Sequence, residues 1–458
     1  MSSGSHRAIT ISCLGLCAAV LLGLSGCTSS ISNQTDSHQK VVKIPDAQTQ
    51  KPDVNSSSPA GGNTADQAAL KSVSCFPTGG CVAIGNNYQT PFSPEVMETL
   101  TTANLNSEWV VASQPQTNAL TSVSCVAGGD CMAIGPSQTG GTFQKWDGNT
   151  WTSLPALPNG AVDGGQPTYP SSLSCTSTVF CIAVGGNVYK QGNTGGTIPV
   201  IEMWNGQDWL PPVTPVSALP DGATLEDVSC VSRTFCMAVG KQHQGTQNLE
   251  LAVEWDGSQW ISGSLPGYTG SSTLQNSDAH LQSISCDSNT HCVALGTVDY
   301  VAAGQTSDNT QLIADIWNGS SWSSMPAPLP VAPDVAYAQP EVDCLGPSGC
   351  IAFWSSIWVS ESQSGPTNPD GGFAATSQLW NGVDWTEIPL TTPDPNSQTF
   401  DIVNSLACSS QISCTAVGTT TDGSNQTTLV EYWNGSQWIQ SQIPIVDAGS
   451  PPTTGPQS

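Results

Sequence analysis

Apolar and polar positions alternate with a period of two in short runs along most of the chain, and no window of comparable length carries a helical period. The runs recur in sets of four. The first set member ends at a cysteine, as in "SVSC" (72–75) and "SISC" (283–286). The second starts at another cysteine, as in "CVAIG" (81–85) and "CMAVG" (236–240). The third approaches a tryptophan, as in "VIEMW" (200–204) and "LVEYW" (429–433), and the fourth leaves from a second one, as in "WTSLP" (151–155). Asn-Gly and Asp-Gly between the tryptophans, as in "WNGQDW" (204–209) and "WDGSQW" (255–260), predict tight hairpin turns. The set repeats seven times over about 72–445, with first cysteines 50, 50, 55, 56, 58 and 64 residues apart. The first repeat keeps only the second tryptophan, Trp109. Four strands repeated seven times predict an all-β, seven-bladed β-propeller of four-stranded antiparallel blades.

The core follows from the same alternation. Two residues after each second cysteine stands an alanine: Ala83, Ala133, Ala183, Ala238, Ala294, Ala352 and Ala416. Two residues before each first cysteine stands Val73, Val123, Leu173, Val228, Ile284, Val342 or Leu406. Small and branched residues at these spots suit blades that crowd toward an axis. Repetition assigns the tryptophan pairs to packing across strands.

The cysteine pairs are Cys75/Cys81, Cys125/Cys131, Cys175/Cys181, Cys230/Cys236, Cys286/Cys292, Cys344/Cys350 and Cys408/Cys414. Opposed residues at a hairpin base stand about 5 Å apart, which suits a disulfide. A zinc site prefers closer spacing and more ligands, and only one pair has a histidine beside it, His291. One disulfide per blade is therefore expected, and no metal.

The strand pattern resembles Kelch and galactose-oxidase-like repeats, in which an apolar strand ending in Gly leads to an aromatic-Asp turn and a Trp strand. Departures are a Gly-Gly doublet found once, at Gly185-Gly186, Trp in place of Tyr before the turn, and the added cysteines. The resemblance implies the fold and carries no functional residue.

The N-terminus reads differently. Arg7 precedes an apolar run that ends Leu24-Ser25-Gly26-Cys27, which resembles a bacterial lipobox. The resemblance implies cleavage before Cys27 and a lipid on its sulfur, with residues 1–26 as signal peptide. Residues 27–70, rich in Ser, Asn, Gln, Pro and Gly, read as lipidated cysteine and tether, 71–446 as the propeller and 447–458 as a tail. Of 17 cysteines, Cys13 and Cys17 leave with the signal and Cys27 takes the lipid, so an even set remains for an oxidising compartment. The expected location is the outer side of a bacterial cell membrane, held by the lipid alone, as a monomer.

Without Arg7 the chain keeps 8 Lys and Arg against 35 Asp and Glu, a net charge of −27. Such a surface repels nucleic acid. It attracts cations, and "TTTDGSNQT" (419–427) has the composition of both a Ca²⁺ loop and a hairpin tip, so Ca²⁺ stays open as a cofactor and no other is expected. Function is expected on the face bearing the long loops, which hold Tyr88, Tyr169, Tyr189, Tyr268, Tyr300 and Tyr337. Trp354 takes the place of a glycine present in the six other repeats, and Trp358 follows at the same parity, which makes both candidates for sugar stacking. Three residues before the first cysteine, five repeats have Ser, while the fourth has Asp227 and the sixth Glu341, with Asp343 nearby. These carboxylates and Trp354, Trp358, Tyr300 and Tyr337 form the candidate ligand site. The expected function is non-enzymatic binding of an extracellular glycan or protein. A carboxylate glycosidase or lyase is the alternative, since only Arg233 remains for an anionic substrate and no G-x-S-x-G elbow is present.

Overall fold

The computed structural model describes residues 68–441 apart from 88–95, 103–108, 113–119, 136–140, 156–168, 211–218, 268–274, 302–307, 329–334, 359–371, 391–398 and short breaks at 192–193, 220–221, 245–246, 389 and 423–424. Cys27, the tether and "VVKI" (41–44) lie outside the described residues, as do Tyr88 and Tyr268.

Among the described residues the chain forms 28 strands, numbered β1 to β28 along it. The first repeat gives β1 (Ala68–Cys75), β2 (Cys81–Asn87), β3 (Val96–Thr102) and β4 (Val110–Val111), joined antiparallel in that order. The later repeats begin with β5 (Ser122–Cys125), β9 (Tyr169–Ser177), β13 (Thr224–Ser232), β17 (Gln275–Ser288), β21 (Val335–Cys344) and β25 (Thr399–Ser410). Five sheets have four strands each. The sixth has eight, because β15 (Gln247–Trp255) touches β17 in parallel at Asn248 and Asp278. The architecture is an all-β propeller of four-stranded antiparallel blades, stapled by disulfides.

The first strands lie side by side in a closed circuit: β1 against β5, then β9, β13, β17, β21 and β25, which returns to β1. Each seam between successive repeats holds one apolar cluster. Val82 and Ile84 of the first repeat meet Leu120, Val123 and Ala133 of the second. At the closing seam Leu70, Val73 and Ala83 meet Ala407, Val417 and Val430. Second strands are buried on both faces because alternate residues face alternate seams. All seven alanines and all seven branched residues named above are buried.

The seven expected cysteine pairs are bonded: Cys75–Cys81, Cys125–Cys131, Cys175–Cys181, Cys230–Cys236, Cys286–Cys292, Cys344–Cys350 and Cys408–Cys414. In each the Cα atoms stand 3.9–4.0 Å apart. This corrects the separation of roughly 5 Å expected for every pair. Main-chain bonds link the next pair out, as from Val126 N–H to Asp130 O (2.9 Å). The cysteines thus occupy non-hydrogen-bonded sites, where strands approach closest. The two members of a pair also differ in burial, which their spacing does not announce. The second cysteines, Cys81, Cys131, Cys181, Cys236, Cys292, Cys350 and Cys414, are all buried and pack in the apolar seams. They start the second strands, which are covered on both faces. The first cysteines stand directly opposite them in the first strands and are half-buried, except Cys344, which is buried. The second cysteines are therefore core residues as well as staples, and none of the seven presents a surface to a ligand.

The tryptophan turns close as Asx turns: Asn205 Oδ1 accepts from Gln207 N–H and Asp208 N–H, both 2.8 Å. Gly206 sits there at φ 101°, which glycine adopts without strain. In four repeats the first indole N–H reaches the cysteine hairpin, as Trp204 does to Thr178 O (3.1 Å). Paired indoles stand 5.4–5.8 Å apart and pack tilted.

Two further expectations are corrected. Trp354 is no exposed platform: it is 3 % exposed and packs with Val293, Leu312 and Val342 between the fifth and sixth repeats. The glycine it replaces is needed elsewhere because the first strand of the repeat crosses it closely. A Cβ on Gly240 or Gly418 would run into the carbonyl oxygen of Thr224 or Ile402. In the sixth repeat two residues, Gln339 and Pro340, bulge out opposite Trp354, where one residue bulges in the others. The wider bulge makes room for the indole. Second, Tyr169, Tyr189, Tyr300 and Tyr337 lie in strands rather than loops, because the hairpins extend far toward that face. The 419–427 stretch is likewise a hairpin tip, between β26 (Ser413–Asp422) and β27 (Asn425–Trp433).

Candidate functional site

In five repeats the first strand breaks its own period of two at one residue. Leu70 pairs with Gly85 and Ser72 with Ile84, so Lys71 is an extra residue. The same shift leaves out Ser171, Glu226, Gln282 and Asn404. A bulge turns the extra side chain away from the ladder. At this level every repeat places a side chain on one cavity of about 740 Å³: Lys71, Thr121, Ser171, Glu226, Gln282 and Asn404, four residues before their first cysteines, and Gln339, five before Cys344. Below them Ser72, Ser122, Ser172, Asp227, Glu341 and Ser405 line it as well. The cavity opens on the side where first strands begin, the face of the longer connections.

The lower residues also hold the ring together. A first strand is an edge strand, and its outward amides need acceptors. Four repeats carry Ser-x-Ser-Cys at the end of the first strand, and the serine hydroxyls supply such acceptors to the next repeat. Ser72 Oγ accepts from Val123 N–H (3.1 Å) and Ser74 Oγ from Cys125 N–H (2.9 Å). Ser122 and Ser124 do the same for Leu173 and Cys175, and Ser283 and Ser285 for Val342 and Cys344. Ser405 Oγ closes the circuit on Val73 N–H (3.2 Å). Among the described residues no strand is shared between the first and seventh repeats.

Two of the predicted carboxylates are part of this seam. Asp227 Oδ2 accepts from Ile284 N–H (2.7 Å), while Oδ1 accepts from Ser172 Oγ (2.6 Å) and Val228 N–H (2.8 Å). Burial pushes its carboxyl up and these bonds pull it back. Asp343 Oδ2 accepts from Cys408 N–H (2.7 Å) and Oδ1 from Ser285 Oγ (3.0 Å). Burial raises it to about 6, against those bonds. Asp343 lies in the seam rather than on the cavity wall. Glu341 does line the cavity. Burial, then the Asp227 and Asp343 carboxylates, hold it well above the usual carboxylate range.

Asp227 and Glu341 therefore come together at one cavity, and Trp354 does not join them. Tyr300 ends β18 (His291–Val301), opposite Asn309, and is not among the residues that line the cavity. The side chains of Trp358 and Tyr337 lie outside the described residues. Sequence reading misses the bulge ring, although its signal is present. Apolar residues three apart, as Leu70 and Val73, Leu225 and Val228, or Leu281 and Ile284, cannot share a face of a regular strand. Among the described residues no three His, Cys, Asp or Glu side chains converge as a metal site.

No protein-family model matches the chain, and no curated protein matches it. Solved structures similar to it include the β-propeller domain of the Trilobed protease from Pyrococcus furiosus (TM-score 0.46, 7% identity, 84% of this chain and 100% of that one). Others are Aleuria aurantia lectin in complex with Fucα1-6GlcNAc (0.39, 10%, 84% and 98%) and Penicillium chrysogenum α-L-arabinanase with arabinobiose (0.42, 12%, 81% and 94%). At these values the propeller assignment rests on strand order and pairing.

Proposed function

We propose that the protein is a non-enzymatic glycan-binding propeller of seven blades, and that the axial cavity is its binding site. The observation that supports this is the bulge ring. Six of the seven repeats carry a backbone irregularity at this level, every repeat places a side chain on one cavity, and six of those seven side chains are hydroxyls, amides or a carboxylate. Alternating donors and acceptors on a fixed scaffold match a polyhydroxylated ligand. Binding without catalysis fits the carboxylates. An acid/base pair needs two groups free to move protons, and Asp227 has both oxygens committed to the seam.

In this reading the chain is exported and held by a lipid on Cys27, with the tether ending before β1 at Ala68. The seven stapled repeats and the side-by-side placement of their first strands support the blade count in this reading.

A glycan array run beside a hydrolysis screen tests the function. The expected result is binding of at least one glycan class, loss of that binding in Gln282→Leu and Thr121→Trp, and no turnover. Turnover of a bound glycan, or unchanged binding in both variants, overturns it.

A further inference from the structure

The cavity is electrically uneven. Lys71 is the one ammonium among its described lining residues, against three carboxylates, Glu226, Asp227 and Glu341. Two of the three are already engaged. Glu226 stands 4.0 Å from Lys241, and Asp227 takes three hydrogen bonds from the seam. Glu341 accepts none among the described residues.

Glu341 takes no seam bond. The serines at its position accept from the next repeat, as Ser283 Oγ does from Val342 N–H, whereas among the described residues Glu341 accepts no such bond, and other amides of the seventh repeat have other acceptors. Val403 N–H donates to Ser355 Oγ (3.4 Å) and Cys408 N–H to Asp343. The sixth repeat also enlarges its bulge at this point, with Gln339 at φ 36° beside Glu341 on the cavity wall. Glu341 is thus a carboxyl placed in a cavity, acted on by the Asp227 and Asp343 carboxylates, with no ion pair to a cation among the described residues.

We infer that the cavity seats a primary ammonium group of its ligand against Glu341, so that an amino sugar with a free amine is preferred over its N-acetylated form. This rests on the glycan-binding reading. The ammonium offsets the repulsion that the neighbouring carboxylates exert on Glu341, and the contact becomes a charge-assisted hydrogen bond, about twice as strong as a neutral one. An acetyl group removes that charge. The net negative surface raises the local concentration of cationic ligands in the same direction.

Calorimetric titration of the purified chain with a glucosamine tetramer and an N-acetylglucosamine tetramer tests this, at about pH 6, below the range of α-amino groups. The free-amine tetramer is expected to bind about tenfold tighter. Glu341→Gln, a near-isosteric change, is expected to erase the preference and leave the acetylated tetramer within about twofold of wild type. Lys71→Met is expected to keep the preference, which shows that loss in Glu341→Gln is not a general effect of altering the cavity. Equal binding of the two tetramers, or a preference that survives Glu341→Gln, overturns the inference and leaves the glycan reading standing. Absence of binding by both, with a blank glycan array, overturns the glycan reading itself.

Discussion

Residues that look decorative in the sequence hold this ring together. In five repeats the serine before the first cysteine accepts the next repeat's cysteine amide, as Ser229 does from Cys286 N–H (3.0 Å). Ser229→Ala strands that amide, and chemical denaturation should show a loss of about 1 kcal/mol. The seventh repeat has Ala407 at this place. Ala407→Ser should supply the missing acceptor to Cys75 and raise stability by about 1 kcal/mol in the same assay. Trp354 reads as exposed in the sequence because it breaks the glycine pattern. Its burial depends on a two-residue bulge in the facing strand, and Gln339-Pro340 announces that bulge only once the pairing is known. Trp354→Ala should cost about 3–5 kcal/mol on denaturation while leaving ligand affinity unchanged, since the indole packs in a seam and not in the cavity.

At the scale of the element, the hairpins are the most legible part of the sequence. Cysteine spacing, Asn-Gly turns and alternating apolar residues all act locally, so strand starts and disulfides can be read without knowing the ring. The unequal burial within each pair is not local: Cys181 or Cys350 is covered by the neighbouring repeat, which only ring closure brings there. Removing one staple, as in Cys125→Ser with Cys131→Ser, should cost about 2 kcal/mol by denaturation, because a short loop restricts the unfolded chain only modestly. Loop length is less legible. The segments 240–248 and 298–310 are polar enough to read as loops, yet β14 (Phe235–Gln244) and β18 continue into them. Polar composition marks a solvated hairpin as readily as a loop. The bulges are legible in principle from apolar residues three apart, but their convergence on an axis depends on ring closure.

For the whole molecule, buried acid sets the pH response. Burial raises Glu202, Glu250 and Glu431 to about 7, and one oxygen of each has no partner among the described residues. Asp343 is raised to about 6. Between unfolded values of about 4 and these folded values, the folded chain holds protons that the unfolded chain has lost. Stability is therefore fully present below about pH 4 as far as these groups go, and falls as pH rises toward about 7, by up to about 1.4 kcal/mol per unit for each group. Asp256, lowered to about 2 by hydrogen bonds from Ser258 and Gln259, titrates below this window and does not oppose the trend. Thermal unfolding should show a higher melting temperature at about pH 5 than at about pH 8. A melting temperature that rises across that interval contradicts the assignment.

The central claim is that a polar glycan occupies the axis of the ring. Its most direct test is a crystal structure of the chain with an oligosaccharide taken from the array. Density within the axial cavity, in contact with the Thr121, Gln282 and Gln339 side chains, is the predicted result. Density confined to the disulfide-hairpin face or to the outer strands, with the cavity holding water alone, would contradict it.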